Sequence, residues 1–163
     1  MTLPASSPAL DFSFAMASDV YANAKYLAAT DSLEWGDGAK TFRALLVDDT
    51  YTFNHVQTTV ADVLGYEVSD PSYSRQDVVG RTVSLDLPGN RALLDATDVV
   101  FTDLGVVIPS GLIIYKQFGG DDTTPGDDLL ICFIDFPPTP ASGSGFTYLI
   151  EFDPDGVIAL TTC

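Results

Sequence analysis

Thr82-Val83-Ser84-Leu85-Asp86-Leu87 and, further on, Phe146-Thr147-Tyr148-Leu149-Ile150-Glu151-Phe152 decide the fold class of this chain. In the first, Val83, Leu85 and Leu87 share one face, with Thr82, Ser84 and Asp86 on the other. In the second, Phe146, Tyr148, Ile150 and Phe152 share a face. A period of two is the pleat of a β-strand with one apolar side. Between them lie Leu112–Phe118 and Leu129–Phe136. The latter is nearly all apolar on both faces, which suits an interior strand covered on both sides. Arg91–Leu94, Val99–Leu104 and Val157–Leu160 add shorter strands, and Thr41–Val47 is the first clear core strand. Pro88-Gly89-Asn90 reads as a tight turn, because Gly and Asn tolerate positive φ.

The rest of the chain adds little helix. Asp19–Thr30 is Ala-rich, with Asp19 placed to cap a short helix, although Val20, Tyr21 and Tyr26 leave a strand open. A brief helical turn is expected within Val56–Val63. Pro137–Gly145 reads as an exposed loop. Residues 1–18 read as an extended arm: Pro and Ser are frequent up to Phe14, and Leu3, Leu10, Phe12 and Phe14 are its large apolar side chains. The expectation is an all-β, mainly antiparallel sandwich or barrel, with that arm and one or two short helices. Residues 19–163 form its single domain. The predicted core contains Leu45, Val83, Leu85, Phe101, Ile114, Ile131, Phe133, Tyr148 and Ile150.

Composition narrows the function. The 163 residues suffice for one domain with a sizeable core. Seven Lys+Arg against 23 Asp+Glu give a formal charge of −16. Nucleic-acid binding depends on neutralising phosphates with Lys and Arg, so neither nucleic acid nor an anionic membrane is an expected partner. No apolar run approaches the roughly 20 residues of a membrane helix. The first residues lack the basic start and apolar stretch of a secretory signal, so the expectation is a chain made and kept in a bacterial-type cytosol until it joins something larger.

Chemistry-bearing residues are sparse. Asp121-Asp122-Thr123-Thr124-Pro125-Gly126-Asp127-Asp128 carries four carboxylates, and hard cations favour such oxygen-rich loops. Its spacing matches no EF-hand, and a solvated hairpin tip outweighs a metal site. Replacing those four aspartates is therefore expected to leave the fold intact. His55, the single histidine, has no nucleophile elbow near it in sequence. Cys132 sits in an apolar run that suits a buried, inert thiol. Cys163 is the last residue, and the two lack metal or redox spacing. No catalytic residue, metal ligand or cofactor is assigned, and the chain is expected not to be an enzyme.

A resemblance sharpens this. Thr41–Phe53 (TFRALLVDDTYTF) resembles the K-x-x-L-x-x-x-x-Y-x-x opening of a family of small tailed-phage virion proteins. Gly80–Val83 resembles its GKTV strand entry, and Asp95–Phe101 its DADDVTF segment. Leu112–Lys116 resembles AVVYKD, and Leu129–Phe136 resembles PLIAYIDF. The likeness runs over roughly residues 40 to 160, in the family's order. It implies a β-sandwich or barrel component of the virion. This chain departs from the pattern in its longer N-terminus and larger acidic loop.

The leading expectation is a capsid decoration (cement) protein clamping major capsid subunits, as a homo-oligomer on the particle. Leu3, Leu10, Phe12 and Phe14 of the arm would be its interface. The rivals are a neck or tail completion protein and a carbohydrate- or receptor-binding β-module. The last should expose aromatics on one sheet face, with Trp35, Tyr51, Tyr66 and Tyr73 as candidates.

Overall fold

A computed structural model describes residues 9–13 (backbone), 19–105, 107–137 and 145–161. The fold is mainly antiparallel β. Its strands are β1 (Ala9–Ser13), β2 (Asp19–Val20), β3 (Thr41–Val47), β4 (Gln76–Asp77), β5 (Thr82–Asp86) and β6 (Arg91–Asp95). They continue with β7 (Val99–Leu104), β8 (Gly111–Gln117), β9 (Leu129–Asp135), β10 (Phe146–Glu151) and β11 (Ile158–Thr161). Among the described residues one helix, α1 (Ala22–Ala29), and two 3-10 turns, Val60–Asp62 and Leu64–Tyr66, complete the elements.

Three sheets result, with strand orders β2-β9-β8-β3-β4, β1-β10-β7 and β11-β6-β5. The five-stranded sheet is buried on both faces, as the apolar run Leu129–Phe136 requires. Phe42, Ala44, Leu46, Leu112, Ile114 and Ile134 join the larger core, together with Phe101, Tyr148 and Ile150 of the second sheet and Leu94 and Ile158 of the third. On the opposite face, Leu45, Ile113, Tyr115, Leu130 and Phe133 pack under Tyr21, Tyr51, Val60 and Val63. The register between β8 and β9 shifts between Ile114 and Tyr115. Ile114 pairs with Cys132 and Tyr115 with Leu130, so Ile131 is the extra residue of a bulge. Ile131 and its neighbour Cys132 therefore both serve the larger core.

Two expectations are corrected here. Asp19 does not cap a helix: Asp19 and Val20 pair with Phe133 and Cys132, and α1 starts only after Tyr21. Tyr21 is fully buried and its hydroxyl meets that of Tyr51 at 2.6 Å, which holds this stretch extended. Val83 and Leu85 are not core. They are 57% and 70% exposed, because β5 is the outer strand of a hairpin that is anchored through β6. The other seven predicted core residues are buried.

The arm is partly an element of the domain itself. Ala9–Ser13 runs parallel to β10, with Leu10 in register with Tyr148 and Phe12 with Ile150. The strand covers an edge of β10 that would otherwise present unpaired backbone groups. The expected interface residues Leu3 and Phe14 lie outside the described residues, as do the side chains of Leu10 and Phe12.

Candidate functional site

The β5–β6 hairpin is built on strict antiparallel pairing: Val83 opposite Leu94, Ser84 opposite Leu93, Leu85 opposite Ala92 and Asp86 opposite Arg91. Residues directly opposite one another point to the same side. β11 continues the rows, with Ile158 opposite Leu94 and Leu160 opposite Ala92. One face of this sheet therefore carries Val83, Leu85, Leu94, Ala92, Ile158 and Leu160. At its inner end Leu94 and Ile158 enter the core, whereas Val83 and Leu85 stay open, and the adjoining turn residue Leu87 is 74% exposed.

The exposed end borders two open depressions that share Leu160. One, of about 340 Å³, is lined by Leu85, Leu87, Ala92 and Leu160. The other, of about 290 Å³, lies between Val83 and the segment from Ala28 to Gly36. Side by side at Leu160 they form a trough on the face of the third sheet. It is mainly apolar, but Asp86, Asn90, Arg91 and Thr161 also line the first part, and Asp31 and Glu34 the second. The outer edge of β5 has no strand beside it among the described residues, so alternate N–H and C=O groups face outward.

The hairpin is held firmly at both ends. At its base the Arg81 guanidinium lies 4.7 Å from the centre of the Phe42 ring. It donates to the carbonyls of Trp35 (3.0 Å), Val78 (2.5 Å), Asp37 (2.9 Å) and Lys40 (2.5 Å). The buried Trp35 indole N–H donates to the Asp95 carbonyl at 2.9 Å, tying β6 to the same loop. At the tip, Asp86 accepts from Arg91 Nε (2.7 Å) and the Gly89 amide (3.0 Å). Those bonds, Arg91 first, hold its carboxyl below the usual range. Arg91 Nη2 also reaches Asp155 at 2.9 Å. A Cβ at Gly89 would stand 2.2 Å from Asp86 Oδ2, so a larger residue there would push the Asp86 carboxylate away from Arg91. Asn90 takes φ 50°, as a tight turn there demands. The open strand is thus a preorganised surface.

The acidic loop is not the solvated tip the sequence suggested. Asp121 and Asp127 are exposed, but Asp122 turns inward. It accepts from the Tyr115 hydroxyl and from Gln117 Nε2, each at 2.7 Å, and pairs with the Arg43 guanidinium. Arg75 lies 3.4 Å away and forms a two-pronged pair with Glu67 at 2.8 and 2.7 Å. Burial pushes the Asp122 carboxyl up, but the Tyr115 hydrogen bond and the Arg43 charge outweigh it and set it below the usual range. Asp128 is fully buried: Oδ1 accepts from the Phe118 amide at 2.8 Å, and burial pushes its carboxyl up. The loop is folded back because Arg43 on β3, Tyr115 and Gln117 on β8 and Arg75 just before β4 all offer donors to Asp122. Among the described residues no group of three His, Cys, Asp or Glu is arranged to hold a metal ion.

His55 is exposed, and its carbonyl accepts from the Ala22 amide at 3.2 Å. Cys132 is buried, and burial pushes its thiol up to about 12. Trp35 and Tyr51 are in the core, and Tyr66 and Tyr73 are half-buried. Tyr73 accepts from the Leu46 amide and donates to Glu67. Sequence reasoning assigns none of these site residues: it reads Val83 and Leu85 as core, and Leu87, Ala92 and Leu160 only as parts of strands. The available signal was the tight turn just after Leu87, since the tip of a hairpin is carried clear of the body it grows from. No family model, curated protein or solved structure matches the chain.

Proposed function

We propose that this chain is a non-enzymatic structural protein of a tailed-phage virion, a capsid decoration protein that seats the apolar trough of β5, β6 and β11 on major capsid subunits. The observation that carries this reading is the rigid, exposed row Val83, Leu85, Leu87 beside Leu160, on a chain of net charge −16. An apolar patch kept rigid and open on so acidic a chain is the signature of an attachment surface. The ordered run of motifs from Thr41 to Phe136 supports a virion context. The attachment residues differ from those expected in the arm: the backbone of Leu10 and Phe12 is already paired within the chain. The carbohydrate-binding rival loses support, because Trp35 and Tyr51, two of its four stacking candidates, are packed inside.

The test is co-sedimentation with heads of the phage whose genome encodes the chain. Wild type is expected to pellet with heads, and Leu87→Asp with Leu160→Asp to remain in the supernatant while still folded. Equal pelleting of the double variant, or of neither protein, overturns the assignment. Binding to purified tails in place of heads moves it to a neck or tail component.

A further inference from the structure

The attachment reading uses the face of the third sheet, and leaves its edge. We infer that the open edge of β5 pairs antiparallel with β5 of a second copy, joining two three-stranded sheets into one of six strands. This inference rests on the attachment reading only for its purpose: pairing would merge two apolar troughs into a single platform.

Three observations carry it. First, β5 lacks the devices that keep sheet edges from pairing. Proline and lysine are absent from Thr82–Asp86, and its one charge, Asp86, is engaged by Arg91 and the Gly89 amide. Thr82–Leu85 is exposed along its length, and among the described residues outside its own sheet the segment from Ala28 to Gly36 comes near it, beside Val83.

Second, the strand is self-complementary. A two-fold axis makes one residue its own partner. With the axis at Leu85, Leu85 faces Leu85 of the second copy, Val83 faces its Leu87, and Ser84 faces its Asp86. Every apolar side chain then meets an apolar one, and no like charges stand opposite.

Third, charge points to this place on the molecule. Two copies of net charge −16 repel, and contact is tolerable only where acids are few. Around this hairpin Arg91 meets Asp86 and Asp155 and Arg81 lies at the base, two cations with two acids, whereas the whole chain has 7 Lys+Arg against 23 Asp+Glu. A basic partner would instead be drawn to the acid-rich remainder. Repulsion between the distant acids is screened over about 8 Å at physiological ionic strength, so added salt should strengthen the pairing.

Sedimentation equilibrium of the purified chain tests this without any phage particle. Wild type is expected at twice 17.4 kDa, more completely at higher salt. Leu85→Lys should weaken association by about tenfold or more, because two lysines would stand opposite each other. Val56→Lys, which also removes an exposed apolar side chain, should leave it unchanged.

Register is read by cross-linking in a Cys163→Ser background. In antiparallel pairs Cα atoms are about 4.5–5.5 Å apart, within the reach of a disulfide. Leu85→Cys should therefore form a covalent dimer on mild oxidation, and Val83→Cys alone should not. A wild type that stays at 17.4 kDa, a Leu85→Lys variant that associates as well as wild type, or self-linking at Val83 in preference to Leu85 overturns the inference. A dimer that ignores phage heads overturns the attachment reading alone. A monomer that binds them overturns the pairing alone.

Discussion

The β8–β9 hairpin and the β5–β6 hairpin are built from similar material and end in opposite environments. Each has apolar strands and an acid-bearing turn. Leu112, Ile113, Ile114, Leu130 and Ile131 are fully buried, whereas Val83, Leu85 and Leu87 are more than half exposed. In the turns, Asp122 and Asp128 of the first fold inward onto Tyr115, Arg43 and the Phe118 amide. Asp86 of the second stays at the surface, bound to Arg91. The difference is position in the sheet. β8 and β9 are interior strands packed against core residues on both faces, while β5 is an edge strand whose residues Thr82–Leu85 stay exposed. Alternation marks which side of a strand is apolar; what lies against that side is decided elsewhere in the chain.

The largest expected effect tests the buried hairpin. Ile131→Ala or Phe133→Ala should destabilise the fold by about 2–5 kcal/mol, through lost burial and the cavity left behind. Urea denaturation reads this directly. A cost below that of an ordinary surface change would mean the five-stranded sheet is not the core.

Next comes the folded-back loop. Asp122→Ala leaves Arg43, Arg75 and Tyr115 short of an acceptor, and the loss should be about 1–3 kcal/mol. Asp121→Ala, at an exposed position, should fall within about 0.5 kcal/mol. Equal costs for the two would return the loop to the solvated tip read from sequence.

The same carboxylate gives a pH dependence. Its folded pKa is lowered, so its contribution is present above the unfolded value of about 3.9 and is lost as pH falls through the folded value. Asp128 has the opposite sign: its folded pKa is raised, and its contribution is lost as pH rises through that value. Melting curves from neutral pH downward should show wild type losing stability in acid more steeply than Asp122→Asn. Parallel curves would remove Asp122 from the network.

The smallest effect sharpens the other side of the comparison. Leu85→Ala, measured in dilute protein, should change stability by less than about 0.5 kcal/mol, as exposed positions do. A loss approaching that of Ile131→Ala would show that β5 is covered after all.

Several features are legible in the sequence alone. The strand positions follow from period-two patterning, and the turn at Pro88-Gly89-Asn90 from residues that accept its backbone angles. The burial of both faces of β9 follows from its unbroken apolar run. Thr59 and Asp62 form a capping box at the helical turn expected within Val56–Val63, although that turn is 3-10 in geometry. These are local properties, set by residues within a few positions of each other.

What the sequence by itself determined is the β class, the core strands and the strongly negative net charge. Tertiary structure alone decided that Val83 and Leu85 stay uncovered, that Ala9–Ser13 joins β10 and that Asp122 meets Arg43. Each depends on pairings between residues far apart in the chain, and a periodic pattern cannot specify its partner. An apolar face is written in a few residues; whether it is covered depends on how many layers the whole chain can supply.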